Sequence, residues 1–509
     1  MRLTTLLEGI DVRDVHADLS MHITSISSDS RTVLRGGMFI CIRGEHHDGH
    51  DMIDDAVARG AAIVVVTDEK RVPDGVPYVA VPDTRAAEAA IWDAWYEHPS
   101  RGMRVIAVTG TNGKTSVTFM LKSIFETSGE RVGIITTVRA EACGREIPLW
   151  GGSSVSDAVG AMTTPDPEYL YGAVYAMRQA GVSVLIFEAS SHALSQHKVD
   201  YAVPDVAVFT NLSEEHLDYH GTMDSYFAAK ARLADMAGTL VINADDAYIS
   251  ALSSYAEKGH RVITCSADPD SGAFLTADVT ALRREESLDG TSYIYFSDNA
   301  VFRMSSPIPG SFTVYNTMMA GTAAMAAGAT PEAVREGIAV LRGVSGRLER
   351  VSLDGENVPF SVFVDYAHTP EALRCLLSTV RAIVPENSRI VLLFGCGGNR
   401  DRSKRSIMGK IASDMADFTV ITSDNCRSEE PEAIIREIMS GFDRAAPHMI
   451  IANRAAAIEF AVSEARPGDV LILAGKGHEK YEITSDGRHP FDETELVRAA
   501  VKSRRKHEN

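Results

Sequence analysis

The sequence predicts an α/β protein of three domains, and three observations carry that expectation. The 509 residues exceed what one hydrophobic core organises, and a prior of about 150 residues per domain suggests about three units. From Met103 onward, short runs of Val, Ile and Phe alternate with helical segments, the pattern of a mostly parallel sheet wrapped by helices. Polar clusters follow those apolar runs directly, at the strand ends where doubly wound sheets bind ligands.

Taken in order, Gly37–Ile42 and Ala61–Val66 read as strands with the helical Ile53–Ala58 between them, giving a small N-terminal α/β domain over residues 1–100. The polar stretch Tyr96–Gly102, with its Pro and Gly, closes that domain. Residues 101–342 form the central domain, with strands expected at Val105–Thr109, Val132–Thr136, Val184–Glu188, Val206–Thr210 and Leu240–Asn243. Gly310–Asn316 opens a helix so rich in Ala and Gly that a neighbour must pack very close to it. A second break falls at Leu341–Arg347, and strands at Phe360–Asp365, Ile390–Phe394, Phe418–Thr422 and Val470–Ala474 build a C-terminal Rossmann-like domain over 343–509. The final Lys502–His507 reads as a solvated tail.

Fifty basic against 69 acidic side chains give a formal charge of −19, which argues against nucleic acid or an anionic membrane as the main partner. A bound phosphate therefore needs a local basic pocket. Six cysteines, at 41, 143, 265, 375, 396 and 426, show neither metal-ligand spacing nor a small disulfide framework, so a reducing cytoplasm is the expected compartment. The start, Met1–Glu8, reaches an acid before any useful apolar run. No signal peptide is expected, and no run approaches the ~18 apolar residues of a membrane helix.

The run Val105–Thr109 leads straight into Gly110-Thr111-Asn112-Gly113-Lys114-Thr115, a strand feeding a phosphate-binding loop, and it nominates an ATP site. Glycines 110 and 113 let successive N–H groups turn toward phosphate oxygens, and the following helix adds the positive end of its dipole. Lys114 would reach the outer phosphates and the Thr115 hydroxyl a magnesium ion. Val108 stands where the general pattern has its first glycine, so the match to a generic P-loop is partial. On the same edge lie Glu188-Ala189-Ser190-Ser191-His192 and Thr210 through Gly221, which includes His216, Asp218 and His220. Glu188 and His216 could ligate magnesium opposite Thr115, although imidazole is a less usual magnesium ligand than oxygen. The plainer alternative has the histidines satisfying loop backbone. Lys230, within Tyr226–Leu233, reads by spacing alone as a surface lysine, and Asn316 could read an adenine edge or cap a turn.

Four polar loops end the C-terminal strands: Asp365–Pro370, Gly395–Arg405, Ser423–Pro431 and Ala474–Glu479. Together they form one rim, and their Arg and Lys side chains suit carboxylate or phosphate, because a guanidinium presents a planar fork to two oxygens.

At these residues the chain resembles the Mur ligase family over essentially its whole length. The loop Gly110–Thr115 looks like that family's phosphate loop; Thr163-Thr164-Pro165-Asp166, Glu188 through Gln196, His216 through Gly221, Asp365 through Pro370 and Gly475-Lys476-Gly477-His478-Glu479 match in order and spacing. The resemblance implies a three-domain architecture with a central P-loop ATPase-like domain. It also implies a small-molecule ligase, expected to be a monomer, that uses ATP and Mg2+ to add an amino acid to UDP-MurNAc-L-Ala-D-Glu through an acyl phosphate. Ser28, Ser30 and the Asp48-Gly49-His50 loop would hold the uridine diphosphate end. Thr163, Thr164, Ser190, Gln196 and Lys198 would hold the sugar-peptide part, with Lys198 in place of the relatives' usual Arg. Lys230 matches a lysine that becomes a carbamate and a magnesium ligand beside Thr115, Glu188 and His216. Asn316, Arg347 and Asp365 match nucleotide-holding positions. Closure of the third domain is expected to align the reactants.

The amino acid is expected to be meso-diaminopimelate. Asp424-Asn425-Cys426-Arg427 keeps the arginine of the family's Asp-Asn-Pro-Arg motif and replaces its proline, while Asp424, Asn425, Gly475, Glu479 and Arg400 would surround the rest of the ligand's far end. L-Lysine or another diamino acid, a folylpolyglutamate synthetase-like ligation, and a nucleotide-dependent switch without ligase activity are the alternatives.

Overall fold

The computed structural model describes residues 1–44, 47–147, 162–353 and 358–508. The chain forms two compact units: residues 1–280 with 297–300 and 318–337, and residues 281–296 with 301–317 and 338–509.

The first unit begins with five strands, β1 (Asp14–His16), β2 (Ile26–Ser27), β3 (Gly37–Ile40), β4 (Ala61–Val66) and β5 (Tyr78–Ala80), in the order β1-β5-β4-β3-β2. All pair in parallel except the edge strand β1. The helix Thr84–Trp95 follows, started by the Asp83 carboxylate, which accepts from the Arg85 and Ala86 amides. Such a cap satisfies amides that the helix itself leaves open.

The unit's larger sheet contains β6 (Arg104–Thr109), β7 (Val132–Ile135), β8 (Ala140–Ala142), β9 (Arg145–Glu146), β10 (Val184–Glu188), β11 (Val206–Phe209), β12 (Thr239–Asn243) and β13 (Arg261–Ser266), in the order β13-β12-β11-β6-β10-β7-β8-β9. Strands β7, β10, β6, β11, β12 and β13 are parallel. Every residue of β10 and β11 is buried, as continuous apolar strands covered on both faces must be. The central position of β6 places its carboxyl end between those of β10 and β11, so three loops meet there. The chain leaves this unit along β14 (Val279–Ser287), whose first residues pair with Cys265 and Ser266.

In the second unit, β15 (Gly290–Ser297) and β16 (Ala300–Ser306) lie beside β14. Its main sheet contains β17 (Glu349–Arg350), β18 (Ser361–Asp365), β19 (Ile390–Phe394), β20 (Phe418–Ile421), β21 (His448–Ile450) and β22 (Val470–Ala474), in the order β17-β18-β22-β19-β20-β21. Only the edge strand β17 is antiparallel. A hairpin, β23 (Tyr481–Thr484) with β24 (Gly487–Pro490), follows. All the strands expected from apolar runs are present, each end within a residue or two. The expected solvated tail is instead the end of the helix Glu493–Glu508, in which Arg504 donates to the Val462 and Ala465 carbonyls. Its apolar Val497 and Val501 are fully buried, which gives the basic end a helix to extend.

Arg454, fully buried, ties together the carboxyl ends of two strands of the second sheet. Its guanidinium pairs with Glu493 at 2.8 Å and donates to the Ser423 carbonyl at 3.0 Å and the Ala474 carbonyl at 2.9 Å, just past β20 and at the end of β22. Removing one member of a buried ion pair leaves the other charge uncompensated. Arg454→Met is therefore expected to cost about 3–5 kcal/mol in denaturant unfolding, and Arg454→Met/Glu493→Leu to recover part of that loss. A single variant as stable as the parent contradicts the account.

Candidate functional site

The end of β6 turns through Gly110 at φ 142°, where a β-carbon would collide with the Thr210 hydroxyl and lie 3.1 Å from the Asn211 carbonyl. Only glycine fits. Beyond it the Thr111 amide donates to the Asn211 carbonyl at 2.8 Å and the Asn112 amide to Asn211 Oδ1 at 2.9 Å, clamping the loop to the end of β11. Gly113, left-handed at φ 86°, starts the helix Lys114–Thr127, and no side chain caps that start. Uncapped first-turn amides at a glycine-bounded turn fit a phosphate.

Two lysines meet over this turn. Lys114 Nζ donates to the Gly110 carbonyl at 2.9 Å and the Thr111 carbonyl at 2.8 Å. Lys230 Nζ donates to the same Gly110 carbonyl at 2.9 Å and lies 4.7 Å from the centre of the Tyr226 ring. Lys230 is 2% exposed, so the surface placement suggested by its spacing is corrected: the small residues of the helix Met223–Met236 let it pack onto the helix Ser191–Ser195, turning the amine inward. Burial, and then the charge of Lys114, push its amine well below the usual lysine range.

Glu188 ends β10 fully buried, its two oxygens accepting from the Thr137 amide at 3.3 Å and the Thr137 hydroxyl at 3.1 Å. His216 adopts φ 57° and packs edge-on against His192 with ring centres 4.8 Å apart. His220 accepts or donates at Ser191 Oγ, 2.9 Å away, with its ring 5.5 Å from His192. Burial first, then the neighbouring imidazoles, bring His192 down to about 4. The three histidines do cluster. Among the described residues no three His, Cys, Asp or Glu side chains are grouped to hold a metal ion.

Thr164 Oγ1 donates to the Glu188 carbonyl at 2.7 Å and accepts from the Ser190 amide at 3.1 Å, while Thr163 Oγ1 lies 3.1 Å from Thr137 Oγ1. Ser190 caps its helix through the Ala193 amide. Gln196 donates to Tyr219 at 3.2 Å and accepts from Arg85 at 3.4 Å. Lys198, nearly buried, pairs with Asp166 at 2.6 Å. Ser28 is exposed and Ser30 buried. His50 is held between two partners, with Nε2 3.1 Å from the Thr67 amide and Nδ1 2.7 Å from the Asp48 carboxylate. The sequence reading missed Glu88, 8% exposed on the helix Thr84–Trp95 and hydrogen-bonded by Ser28. Burial pushes it up to about 7, Asp166 adds to that, and Arg85 and Lys198 oppose it.

In the second unit the four loops follow β18, β19, β20 and β22. The Asp365 carboxylate accepts the Leu348 and Ala367 amides at 2.7 and 2.8 Å, and Arg347 lies over the Tyr366 ring at 5.2 Å. Asn316 is buried within the helix Ser311–Ala326 rather than capping a turn. Arg427, at φ 55°, donates through Nη1 to the Gly398 carbonyl at 2.9 Å and the Asn425 carbonyl at 3.2 Å. Asn425 Nδ2 donates to Glu479 at 2.7 Å, and Gly475 lies beside the Asp424 carboxylate. Arg400 is exposed, and Cys426 is buried with Sγ 3.5 Å from the Asp424 carbonyl. Arg405, fully buried, was not singled out by sequence. It bridges Glu429 and Glu437 at 2.7–2.9 Å and donates to the Gly397 carbonyl at 3.0 Å, fixing the loop before Arg400.

Three family models match this chain: the catalytic domain of the Mur ligase family over residues 22–97, the Mur ligase middle domain over 108–324 and the glutamate ligase domain over 346–477. A curated relative from Geobacillus kaustophilus, UDP-N-acetylmuramoyl-L-alanyl-D-glutamate--2,6-diaminopimelate ligase, is 37% identical over 99% of this chain and 100% of its own. A solved structure of an enzyme of that name superposes with a TM-score of 0.70 at 30% identity, covering 99% of both chains. Mycobacterium tuberculosis folylpolyglutamate synthase, solved with ADP, gives a TM-score of 0.59 at 20% identity over 77% of this chain and 91% of its own, a likeness of fold.

Glu88 supplies a test of the geometry around Ser28, Asp166 and Lys198. Its carboxyl stands at about 7 in the fold against an ordinary 4.5, so the folded state favours the neutral form. The penalty is absent below the ordinary value, grows as pH rises through that window and is complete above it. Glu88→Gln is expected to match the parent near pH 4.5 and to exceed it by up to about 3 kcal/mol at pH 8. Parallel pH–stability curves for the two proteins contradict this.

Proposed function

This chain belongs to the Mur ligase family, and from that premise we propose that it is the ATP-dependent ligase that joins meso-diaminopimelate to UDP-N-acetylmuramoyl-L-alanyl-D-glutamate in peptidoglycan precursor synthesis. The observation that carries the reading is the guanidinium of Arg427 standing with Asn425, Glu479 and Gly475 at one strand-end rim. That set suits an amino acid whose far end bears both an ammonium and a carboxylate. Full-length identity to curated ligases of this specificity supports it, whereas the folylpolyglutamate synthase likeness extends to the fold alone.

A carboxylate is a poor electrophile, so ligation begins with attack of the donor's terminal carboxylate oxygen on the γ-phosphorus of ATP, releasing ADP and forming an acyl phosphate. The incoming amine then bonds to the acyl carbon, phosphate leaves and the amine loses a proton. Gly110, Thr111, Asn112, Gly113 and Lys114 would bind and orient the phosphates, with Lys114 offsetting charge on the transferring group. Asn316, Arg347 and Asp365 would hold the rest of the nucleotide. Thr163, Thr164, Ser190, Gln196 and Lys198 would hold the donor's sugar-peptide, and Ser28 and Ser30 its uridine diphosphate.

Magnesium would be held by Thr115, Glu188, His216 and Lys230, and it would supply charge neutralisation at the phosphates. Lys230 fits only in a changed form, because an ammonium repels a cation. A buried neutral amine can attack carbon dioxide, forming an N–C bond and losing a proton to give a carbamate, whose oxygens suit magnesium. Lys230→Ala is therefore expected to lose at least ~100-fold in turnover and to regain part of it with added acetate. Parent-like turnover without additive returns Lys230 to a packing role.

The amino-acid assignment is tested by coupling purified enzyme, ATP and the UDP-linked dipeptide to a panel of amino acids, read by mass spectrometry. With L-lysine bound, Arg427 would lose its carboxylate partner, a penalty of about 2–5 kcal/mol or very roughly 30- to 5,000-fold. Strong preference for meso-diaminopimelate is expected, lost in Arg427→Ala. Equal kcat/KM for the two amino acids defeats the specificity assignment and leaves the ligase assignment standing.

A further inference from the structure

Lys476 lies between Gly475 and Gly477 at the end of β22, fully buried, yet none of the roles above uses it. Its ammonium makes two hydrogen bonds and one ion pair. Nζ donates to Asn425 Oδ1 at 2.9 Å and to the Tyr481 carbonyl at 3.0 Å, and it stands 3.5 Å from the Asp424 carboxylate. The Phe491 ring lies 5.4 Å away on another side.

This geometry decides which way the Asn425 amide points. Oδ1 accepts from Lys476 and also from the Ile483 amide at 3.0 Å, which turns Nδ2 toward Glu479 at 2.7 Å. The flipped amide would set donors against donors at Lys476 and Ile483, and oxygen against oxygen at Glu479. The same hairpin strand takes the Arg427 amide through the Ile483 carbonyl at 2.9 Å. One buried ammonium thus anchors β23 through Tyr481 and orients Asn425, and β23 in turn holds Arg427.

We propose that Lys476 is a positioning residue for amino-acid selection: it fixes the Asn425 amide and the β23–β24 hairpin, and through them the Glu479 carboxylate and the backbone carrying the Arg427 guanidinium, the two groups that would receive the substrate's zwitterionic far end. The inference rests on the amino-acid reading above and deepens it. Lys476 touches no substrate in this scheme. Its removal weakens amino-acid binding and leaves the phosphoryl-transfer groups in place.

The test is steady-state kinetics of the full-length enzyme with each of its three substrates varied. Lys476→Met keeps the length of the side chain and removes the donors. It is expected to raise KM for meso-diaminopimelate about 10- to 100-fold, the scale of one lost charge-assisted hydrogen bond, with KM for ATP and for the UDP-linked dipeptide within about twofold. Asn425→Asp keeps an oxygen for Lys476 and Ile483 but presents an acceptor to Glu479, and the same selective rise is expected. Where Lys476→Met fails to fold, Lys476→Gln, which keeps one donor for Asn425, carries the test, with a selective but smaller rise expected. In a double-mutant cycle, Lys476→Met and Glu479→Gln are expected to be strongly non-additive. An unchanged KM for the amino acid, additive effects, or a joint drift of all three KM values with kcat overturns the proposal. Parent enzyme that does not couple meso-diaminopimelate sinks the underlying reading, and this inference with it.

Discussion

Two amines share one carbonyl. Lys114 and Lys230 both donate to Gly110 O at 2.9 Å, and burial first, then the like charge of Lys114, disfavours the charged form of Lys230. Lys114 is half-buried and has a second carbonyl at Thr111; Lys230 is buried, so it is the amine driven toward neutrality. The constraint reaches outward. Gly110 can present its carbonyl there only at a φ that a β-carbon would forbid, and the collision would be with Thr210 at the end of β11. The parallel pairing of β6 with β11 therefore sets where the two amines meet.

Much of this was legible in sequence, and the reasons differ by element. The strands of both large sheets announce themselves because buried parallel strands are continuous apolar runs, and the loops between them are punctuated by Gly and Pro. The turn Gly110–Thr115 is legible because its glycines and lysine lie side by side in the chain. What was not legible depends on distant partners. Lys230 looks like a surface lysine because its helix carries polar residues on several faces, and only the packing of that helix onto Ser191–Ser195 decides which residues turn inward. Glu88 sits in an Ala-rich helix with nothing in its neighbourhood to show that Ser28, Asp166 and Lys198 approach it. The short hairpin β23–β24 escaped because Tyr481–Thr484 is half-buried throughout and carries no clean alternation.

The second unit braces its strand-end loops with buried cations. Arg405, Arg454 and Lys476 are each fully buried, and each donates to carbonyls or side chains at the loops that follow the parallel strands. Parallel strands leave their last carbonyls without a ladder partner, and a long cationic side chain reaches several of them at once. The cost of burying each charge is offset by carboxylates: Glu429 and Glu437 for Arg405, Glu493 for Arg454, Asp424 for Lys476. Net acidity of the whole chain is thus compatible with buried cations at the ends of these strands.

The replacement of proline by cysteine before Arg427 bears on the same rim. A proline would hold the preceding backbone by restricting φ, and its loss frees one torsion in the unfolded chain. In the fold, that freedom is taken up by contacts on both sides. The Arg427 amide is bound to the Ile483 carbonyl, its Nη1 bridges the Gly398 and Asn425 carbonyls, and Cys426 is buried with its thiol against the Asp424 carbonyl. A proline at 426 would add nothing to the Arg427 amide bond, which belongs to the next residue. Arg427 holds φ 55°, a conformation costing of order 1 kcal/mol for a residue with a β-carbon, and the hydrogen bond to β23 is what sustains it. The guanidinium's approach is set on the opposite side by Gly397, where a β-carbon would stand 3.1 Å from Nη1. The arginine is therefore aimed by the hairpin on its amide and bounded by a glycine at its guanidinium, and neither contact runs through the side chain of residue 426.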